Sequence, residues 1–432
     1  MTRILDVYLD HAHVGTLTQN QGGRIVFAYT SAWLERADAI PLSWSLPLRP
    51  LPFPQKECRG FFAGILPEES NRDVIAKILG ISARNDYAML EQIGGECAGA
   101  VTFVPEGEKL PFLHQSYWRP TDSGFANLLR QLPNRPLLVG EHGLRLSLAG
   151  AQSKIAVHIN ADGQMSLSTG NAPSTHILKP ANSRFRNMVL NEYLCLNLAR
   201  RVGIPVAEVA LGRIEDIEYL LVRRYDRFLD TERLKLLPES YMSIASCTYR
   251  LHQEDFCQAL SIPPEQKYQG EGGPGLRECF ALLRNASSFP AIDLQHLLDM
   301  VLFNVIVGNH DAHGKNFSLL YNSGTSNSLL AGLNTRLAPA YDILSTVYYP
   351  ELTSRMAMKI GKQYESAKLR RTDIEVFAKE AGLGVAAVRK RLLELSEAIK
   401  TNLPELREMY PSIDDLITLI AERANWVQRL AQ

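Results

Sequence analysis

The 432-residue chain is too long for one ordinary core, which predicts two or three domains. Its 46 basic residues balance 46 acidic ones, and 46% hydrophobic against 21% charged residues is the composition of a globular protein. That neutrality excludes coating of nucleic acid by bulk charge and leaves local contact only. Six cysteines with no C-x-x-C pair argue against a disulfide framework or a cysteine zinc site, so free core thiols in a reducing cytosol are expected. The opening MTRILDVYLD lacks an apolar stretch behind a basic start, and no window approaches about 18 uninterrupted apolar residues. Neither a signal peptide nor a membrane span is therefore expected.

In chain order, ILDVYLD, HVGTLTQ and RIVFAYT alternate with period two and read as short strands. Pro67 opens a helical stretch, PEESNRDVIAKILG, that Gly80 stops. GGECAGAVTFVPEG reads as a turn and strand, which places a first boundary near residue 110. The pattern then becomes strand, glycine turn, strand (LRLSLAGAQSKIAVHI), followed by THILK, the helix VLNEYLCLNLARRVG and the strands VAEVALGRI and EYLLVRRYD. This predicts a mostly antiparallel sheet carrying a helix over residues 111–253. From residue 254 to 432 helices dominate, with DLQHLLDMVLFNVIVGN apolar enough to be a central buried one. Thr372 with Glu375, and Ser412 with Asp415, read as capping boxes for the later helices.

Chemistry concentrates directly behind that apolar helix, in Gly308–Phe317, GNHDAHGKNF. Asp311 and Asn316 have the D-x-x-x-x-N spacing of kinase catalytic loops: a carboxylate to accept an acceptor hydroxyl's proton, then an amide oxygen for magnesium. Lys315 could offset charge on a transferring phosphate. Downstream, Asp342 in LAPAYDIL could be the second magnesium ligand, or Tyr341-Asp342 could simply cap a turn. Lys179 ends a strand in the sheet-rich part, where a lysine reaching nucleotide phosphates is expected, with Glu192 on the next helix as its ion-pair partner. Ser147–Lys154, SLAGAQSK, lies between strands and could cover phosphates with backbone N–H groups, although it has neither G-x-G-x-x-G nor a Walker sequence; a plain hairpin turn is the alternative.

Taken together, SLPLRP, FFAGILPEESNR, GGECAGAVTF, LSLAGAQSKIAV, THILKP, NEYLCLNLAR, RRYDR, HQEDFCQAL, GNHDAHGKNFSLL and APAYDILST resemble the HipA-type toxin kinases of bacterial toxin–antitoxin systems. The matches run in order over nearly the whole chain. The resemblance implies an α+β, protein-kinase-like fold with an antiparallel-sheet lobe (111–253), a helical lobe (254–432) and an N-terminal accessory domain (1–110). It implies ATP and magnesium as cosubstrate and cofactor, with serine phosphorylation of a protein. Asp311 then resembles the catalytic acid–base, and Asn316 and Asp342 the metal ligands. Leu148, Ala149, Gly150, Ala151, Gln152, Ser153, Lys154, Lys179, His313, Lys315 and Tyr341 correspond to the nucleotide site, and Glu254 and Phe256 to the adenine-binding hinge. Ser147 matches the family's autophosphorylation site, where a phosphate adds about −1.5 to −2 charges and could eject the loop. Pro180–Asn191 resembles the activation loop. His310 departs from the pattern, standing where relatives usually carry Thr or another small residue.

The resemblance further implies a HipB-like helix-turn-helix antitoxin as partner, operator DNA contacted through the complex, and a translation protein such as glutamyl-tRNA synthetase as substrate. Arg355, Lys359, Lys362, Arg370 and Arg371, or Arg389 to Arg391, could touch that DNA or be solvated helix faces. Two other readings stay open. His310-Asp311 with His313 mimics an HD-type metal phosphohydrolase, which needs further His and Asp ligands from an all-helical core. A kinase-like binding module that only assembles with an antitoxin on DNA is the other. The kinase reading requires Lys179 to converge with Asp311, Asn316 and Asp342 across a cleft.

Overall fold

The structure, a computed structural model, describes residues 2–108, 116–141, 144–150, 152–170, 172–182, 184–229, 248–323 and 333–432. An antiparallel sheet opens the chain in the order Phe53–Pro54, Ile25–Tyr29, Ala12–Gln19, Arg3–Leu9, Val101–Pro105. Its strands alternate buried and half-exposed residues, as the period-two pattern requires, and Leu5, Val7, Phe27 and Phe103 face inward against Phe61 and Phe62 of helix Gln55–Gly64. Helix Glu69–Leu79 starts just after Pro67 and ends on Gly80, whose φ of 66° supplies the left-handed cap.

A six-stranded antiparallel sheet follows: Val209–Ile214, Ile217–Arg223, His176–Pro180, Ile155–Ile159, Met165–Thr169, Ser116–Trp118. Ile155, Val157, Leu167 and Leu178 join the same apolar cluster as Leu5 and Phe27, so the two sheets share one core. Helix Met188–Arg201 belongs instead to a second cluster, formed with Leu276–Ala286, Pro290–Val307, Arg371–Glu380, Val385–Met409 and Asp414–Ala431. Helix Pro290–Val307 is long and apolar enough to cross a bilayer by composition alone, but 67% of it is buried inside the protein, where it serves as the central helix. Gly308 ends it at φ 77°; a Cβ there would lie 2.4 Å from Val347 Cγ2. That forced turn delivers the polar GNHDAHGKN segment to the face opposite the sheet.

Both expected capping boxes are absent. Helix Arg371–Glu380 begins one residue before Thr372, and Asp373 accepts the Arg370 amide at 3.0 Å. Asp415 is engaged by the Tyr348 hydroxyl at 2.9 Å and by Arg186 at 2.8 Å, so tertiary partners take the carboxylate that local capping would have used. The five described cysteines are free and buried, while Cys247 lies outside the described residues. Among the basic groups considered for DNA, Arg389 donates to the carbonyls of Ala431 and Gln432, and Arg391 pairs with Asp299.

A buried ionic cluster fastens the first sheet's region to the second. Glu96 pairs with Arg224, Arg227 and Arg250, and Asp226 pairs with Arg224 and accepts the Gly99 amide at 2.7 Å. Three guanidiniums against two carboxylates leave little tolerance for losing an acid, because an unpaired charge in this interior keeps its desolvation cost. Glu96→Gln should therefore destabilise the fold by about 3–5 kcal/mol, read by urea unfolding. A loss under about 1 kcal/mol would show that the arginines do not depend on Glu96.

Candidate active site

A cleft of about 1070 Å³ separates the six-stranded sheet from the helical region, large enough for a nucleotide. Lys179 enters it from strand His176–Pro180, paired to Leu220 on one side, which fixes its side-chain direction. Its Nζ is 2.6 Å from Glu192 Oε1, on helix Met188–Arg201, and 2.6 Å from Asp342 Oδ1. Burial works against the ammonium, but Asp342 and Glu192 outweigh it and raise the lysine's pKa. Asp342 sits at φ 57°, an unfavourable left-handed conformation for a non-glycine residue, consistent with strain held at a functional position. Burial pushes its carboxyl up, yet Lys179 and Lys154 pull it far below the usual carboxylate range.

Asn316 closes the group. Its Nδ2 donates to Asp342 Oδ2 at 3.2 Å, which leaves Oδ1 buried with no hydrogen-bond partner among the described residues. A buried amide oxygen without a donor is costly, and a cation between it and Asp342 would satisfy it. Asp311 stands at the cleft's mouth, its amide held by Asn309 Oδ1 at 3.1 Å. Its carboxyl is reachable by solvent, but the surrounding protein raises its pKa to about 6, with the Tyr268 hydrogen bond and Lys267 opposing. A base poised near neutrality suits proton transfer.

The loop over the cleft is held from outside. Leu148, Ala149, Gly150, Gln152, Ser153 and Lys154 line the cavity; Ala151 lies outside the described residues. Gly150 takes φ 100° and bridges to Pro67, and Lys154 Nζ reaches back to the Ala149 carbonyl at 2.5 Å. Burial and the neighbouring Lys179 lower the Lys154 pKa to about 8. Ser147 is fully buried: its hydroxyl donates to the Ile65 carbonyl at 3.0 Å and its amide to the Glu96 carbonyl at 2.9 Å. No phosphate fits there until the loop moves.

Of the two residues expected at the hinge, Glu254 lines the cleft and Phe256 does not. Phe256 is fully buried in the helical core, and the Glu254 carboxylate is taken by Ser43, the Trp44 amide and the Tyr321 hydroxyl. Burial raises this carboxyl to about 7. Strand Ile217–Arg223 leaves the sheet through Arg224, Tyr225 and Asp226, the middle of the RRYDR string, which line the cleft beside Gln253. Tyr225 packs its ring 6.0 Å from that of Tyr341, whose hydroxyl donates to the Lys315 carbonyl at 2.8 Å.

Lys315 lines the cleft as well. Its Nζ is 2.6 Å from Asp255 Oδ2, 3.0 Å from the Gly64 carbonyl and 3.5 Å from Glu68 Oε1. With three oxygen partners around it, the ammonium ties the loop to the accessory region. His313 stacks edge-on against Tyr268 at 5.3 Å, and burial lowers its pKa to about 3. His310 points elsewhere, its Nε2 2.8 Å from Ser366 Oγ, so the two histidines do not share a ligand site with Asp311. Among the described residues no three His, Cys, Asp or Glu side chains gather as a metal cluster, which removes the support for an HD-type site. Sequence reasoning missed Glu68, Glu69, Lys267 and Tyr268; no spacing rule marks them, since fold topology alone brings them to Asp311.

A profile of the HipA-like C-terminal domain matches residues 146–403, and one of the HipA N-terminal domain matches residues 5–104. The chain is 43% identical over 437 aligned positions to a Sinorhizobium fredii protein named "Putative kinase Y4mE", covering 99% of both chains. It is 27% identical to the serine/threonine-protein kinase toxin HipA of Shewanella oneidensis over 96% of this chain and 92% of that one. The solved structure of Shewanella oneidensis HipA with HipB and operator DNA superposes with a TM-score of 0.79 at 25% identity, covering 99% and 96% of the two chains. The fold is thus the α+β, kinase-like HipA fold, and the chain belongs to the HipA family, with that family's N-terminal and C-terminal domains both present.

Proposed function

We propose that this chain is an ATP-dependent protein serine/threonine kinase acting as the toxin of a toxin–antitoxin pair. The observation that carries the reading is the convergence of Lys179, Asp342 and Asn316, with the Asn316 Oδ1 left unpartnered beside a carboxylate in a nucleotide-sized cleft. Asn316 Oδ1 and Asp342 would hold magnesium, which when bound neutralises charge on the β- and γ-phosphates. Lys179 would exchange part of its pairing with Asp342 for phosphate oxygens while Glu192 keeps it in place. The adenine would lie against Ile177, Ala207 and Val222, which line the cleft beside residues 224–226 and Glu254.

Asp311 does the proton work. As a serine Oγ bonds to the γ-phosphorus and the bond to the ADP oxygen breaks, the hydroxyl proton passes to the Asp311 carboxylate. Ser147 is then a site for silencing by autophosphorylation, because a phosphate cannot coexist with its buried bond to Ile65. Kinship with a protein solved with HipB and operator DNA supports a HipB-like antitoxin and operator DNA as proposed partners, with co-repression as their proposed outcome. A translation protein such as glutamyl-tRNA synthetase is the proposed cytoplasmic target.

With labelled ATP, magnesium and a bacterial extract, the wild type should form phosphoserine, and Asp311→Asn should cut the rate about 10²–10⁴-fold. Mass spectrometry should find Ser147 among the labelled sites. Nucleotide binding with no phosphoserine on any protein would support the binding-module reading instead. The rate should also rise with pH through about 6, because the Asp311 carboxyl holds its own proton below that value and cannot accept another. A flat profile from pH 5 to 8 would remove Asp311 from that role.

A further inference from the structure

Tyr268 stands where the catalytic reading leaves a gap. Its hydroxyl donates to Asp311 Oδ1 at 2.9 Å, while no hydrogen bond to Oδ2 is present among the described residues. The tyrosine is not a loose surface side chain. Its carbonyl accepts the amides of Glu271 and Gly273, both at 2.9 Å, which closes a tight turn around Gln269–Glu271. Within that turn Gly272 takes φ 102°, and a Cβ on Gly273 would lie 2.3 Å from the Gln266 carbonyl. Gln269 Oε1 accepts the Lys359 amide at 2.9 Å, and His313 braces the ring from one side.

The preceding residue leads to the accessory region. Lys267 Nζ is 2.9 Å from Glu68 Oε2 and 2.8 Å from Glu69 Oε1, and lies 5.3 Å from the Tyr268 ring centre. Burial pushes the Glu68 carboxyl up, but Lys315 and Lys267 bring it down to about 2, so it is ionised throughout the working range. Glu68 and Glu69 follow Pro67, the residue bridged to Gly150 of the phosphate loop. One short segment thus touches the donor side and the acceptor side of the cleft.

We infer that Tyr268 is a positioning residue for phosphoryl transfer: its hydroxyl holds one oxygen of Asp311 and leaves the other for the acceptor serine, and Lys267 ties this alignment to Glu68 and Glu69. The inference rests on the kinase reading above. It assigns the accessory region a part in arranging the catalytic carboxylate. The opposite arrangement, in which the tyrosine hydroxyl plugs the acceptor's place and must leave, predicts a gain when the hydroxyl is removed.

The test is Tyr268→Phe, which deletes one oxygen and keeps the ring against His313. Measured as the initial rate of phosphoserine formation in a bacterial extract at saturating ATP, it should lose roughly 10- to 100-fold, the scale of a misplaced reacting group. Affinity for a non-hydrolysable ATP analogue should stay at the wild-type value. The acid limb of the rate should move to higher pH, because the lost hydrogen bond had favoured the charged carboxylate; Lys267, Asp342 and Glu69, the other charged groups facing Asp311, remain. Lys267→Gln should slow transfer in the same direction. A Tyr268→Phe rate equal to or above wild type, or an unmoved acid limb, overturns the positioning role, and an unaltered Lys267→Gln rate overturns the tie. If Asp311→Asn is inactive while Tyr268→Phe is not, this inference alone fails. Wild-type protein that forms no phosphoserine removes the kinase reading beneath it.

Discussion

The cleft depends on one buried ammonium. Lys179 stands between Glu192, which it cannot leave without stranding a buried carboxylate, and Asp342, which the cleft exposes. Removing Lys179 would set two acids against each other in a poorly hydrated space, and each half of the site comes from a different structural layer. The lysine is on a sheet strand, Glu192 on the helix that sheet carries, and Asp342 on the segment after the helical region's hairpin. Their meeting is what makes the layers one site. It also arranges the donors: with Lys179 on one oxygen of Asp342 and Asn316 on the other, the orphaned Asn316 Oδ1 is directed into the same space.

Around this centre the accessory region supplies several direct contacts. The Ile65 carbonyl takes Ser147, Pro67 bridges Gly150, the Gly64 carbonyl and Glu68 take Lys315, and Ser43 with Trp44 takes Glu254. Each contact is individually modest, on the order of 1 kcal/mol for a neutral hydrogen bond and more for a charged one. Their placement matters more than their sum. A loop able to bury Ser147 is one whose phosphorylation would be incompatible with the closed state, so under the proposed function the contacts that shape the Leu148–Lys154 loop would give modification its leverage.

Much of this was legible in the sequence. Apolar periodicity located the central helix and the strands, and Gly80 ended its helix where a left-handed cap is needed. Lys179, Asp311, Asn316 and Asp342, singled out in the sequence by residue type and resemblance, line one cleft in the structure. Other features were hidden for physical reasons. That the Glu254 carboxylate is held by Ser43, Trp44 and Tyr321 is a property of topology that no local pattern carries. The pairing of Lys315 was not legible locally, because Asp255 and Glu68 arrive from distant segments. The capping box at Thr372 failed because the helix starts one residue earlier and Asp373 takes the capping bond, and the one at Ser412 failed because Tyr348 and Arg186 claim Asp415. Tyr268 carries no motif at all; only packing shows what its hydroxyl touches.

The most direct test of the central claim is the affinity for a non-hydrolysable ATP analogue with magnesium in the wild type, Lys179→Met, Asp342→Asn and the double variant, measured by calorimetry. The account predicts that each single change weakens binding at least about tenfold, the worth of one charge-assisted hydrogen bond, and that the double change costs less than the two singles combined, because the residues act on the same phosphates. Wild-type affinity in both single variants would contradict it.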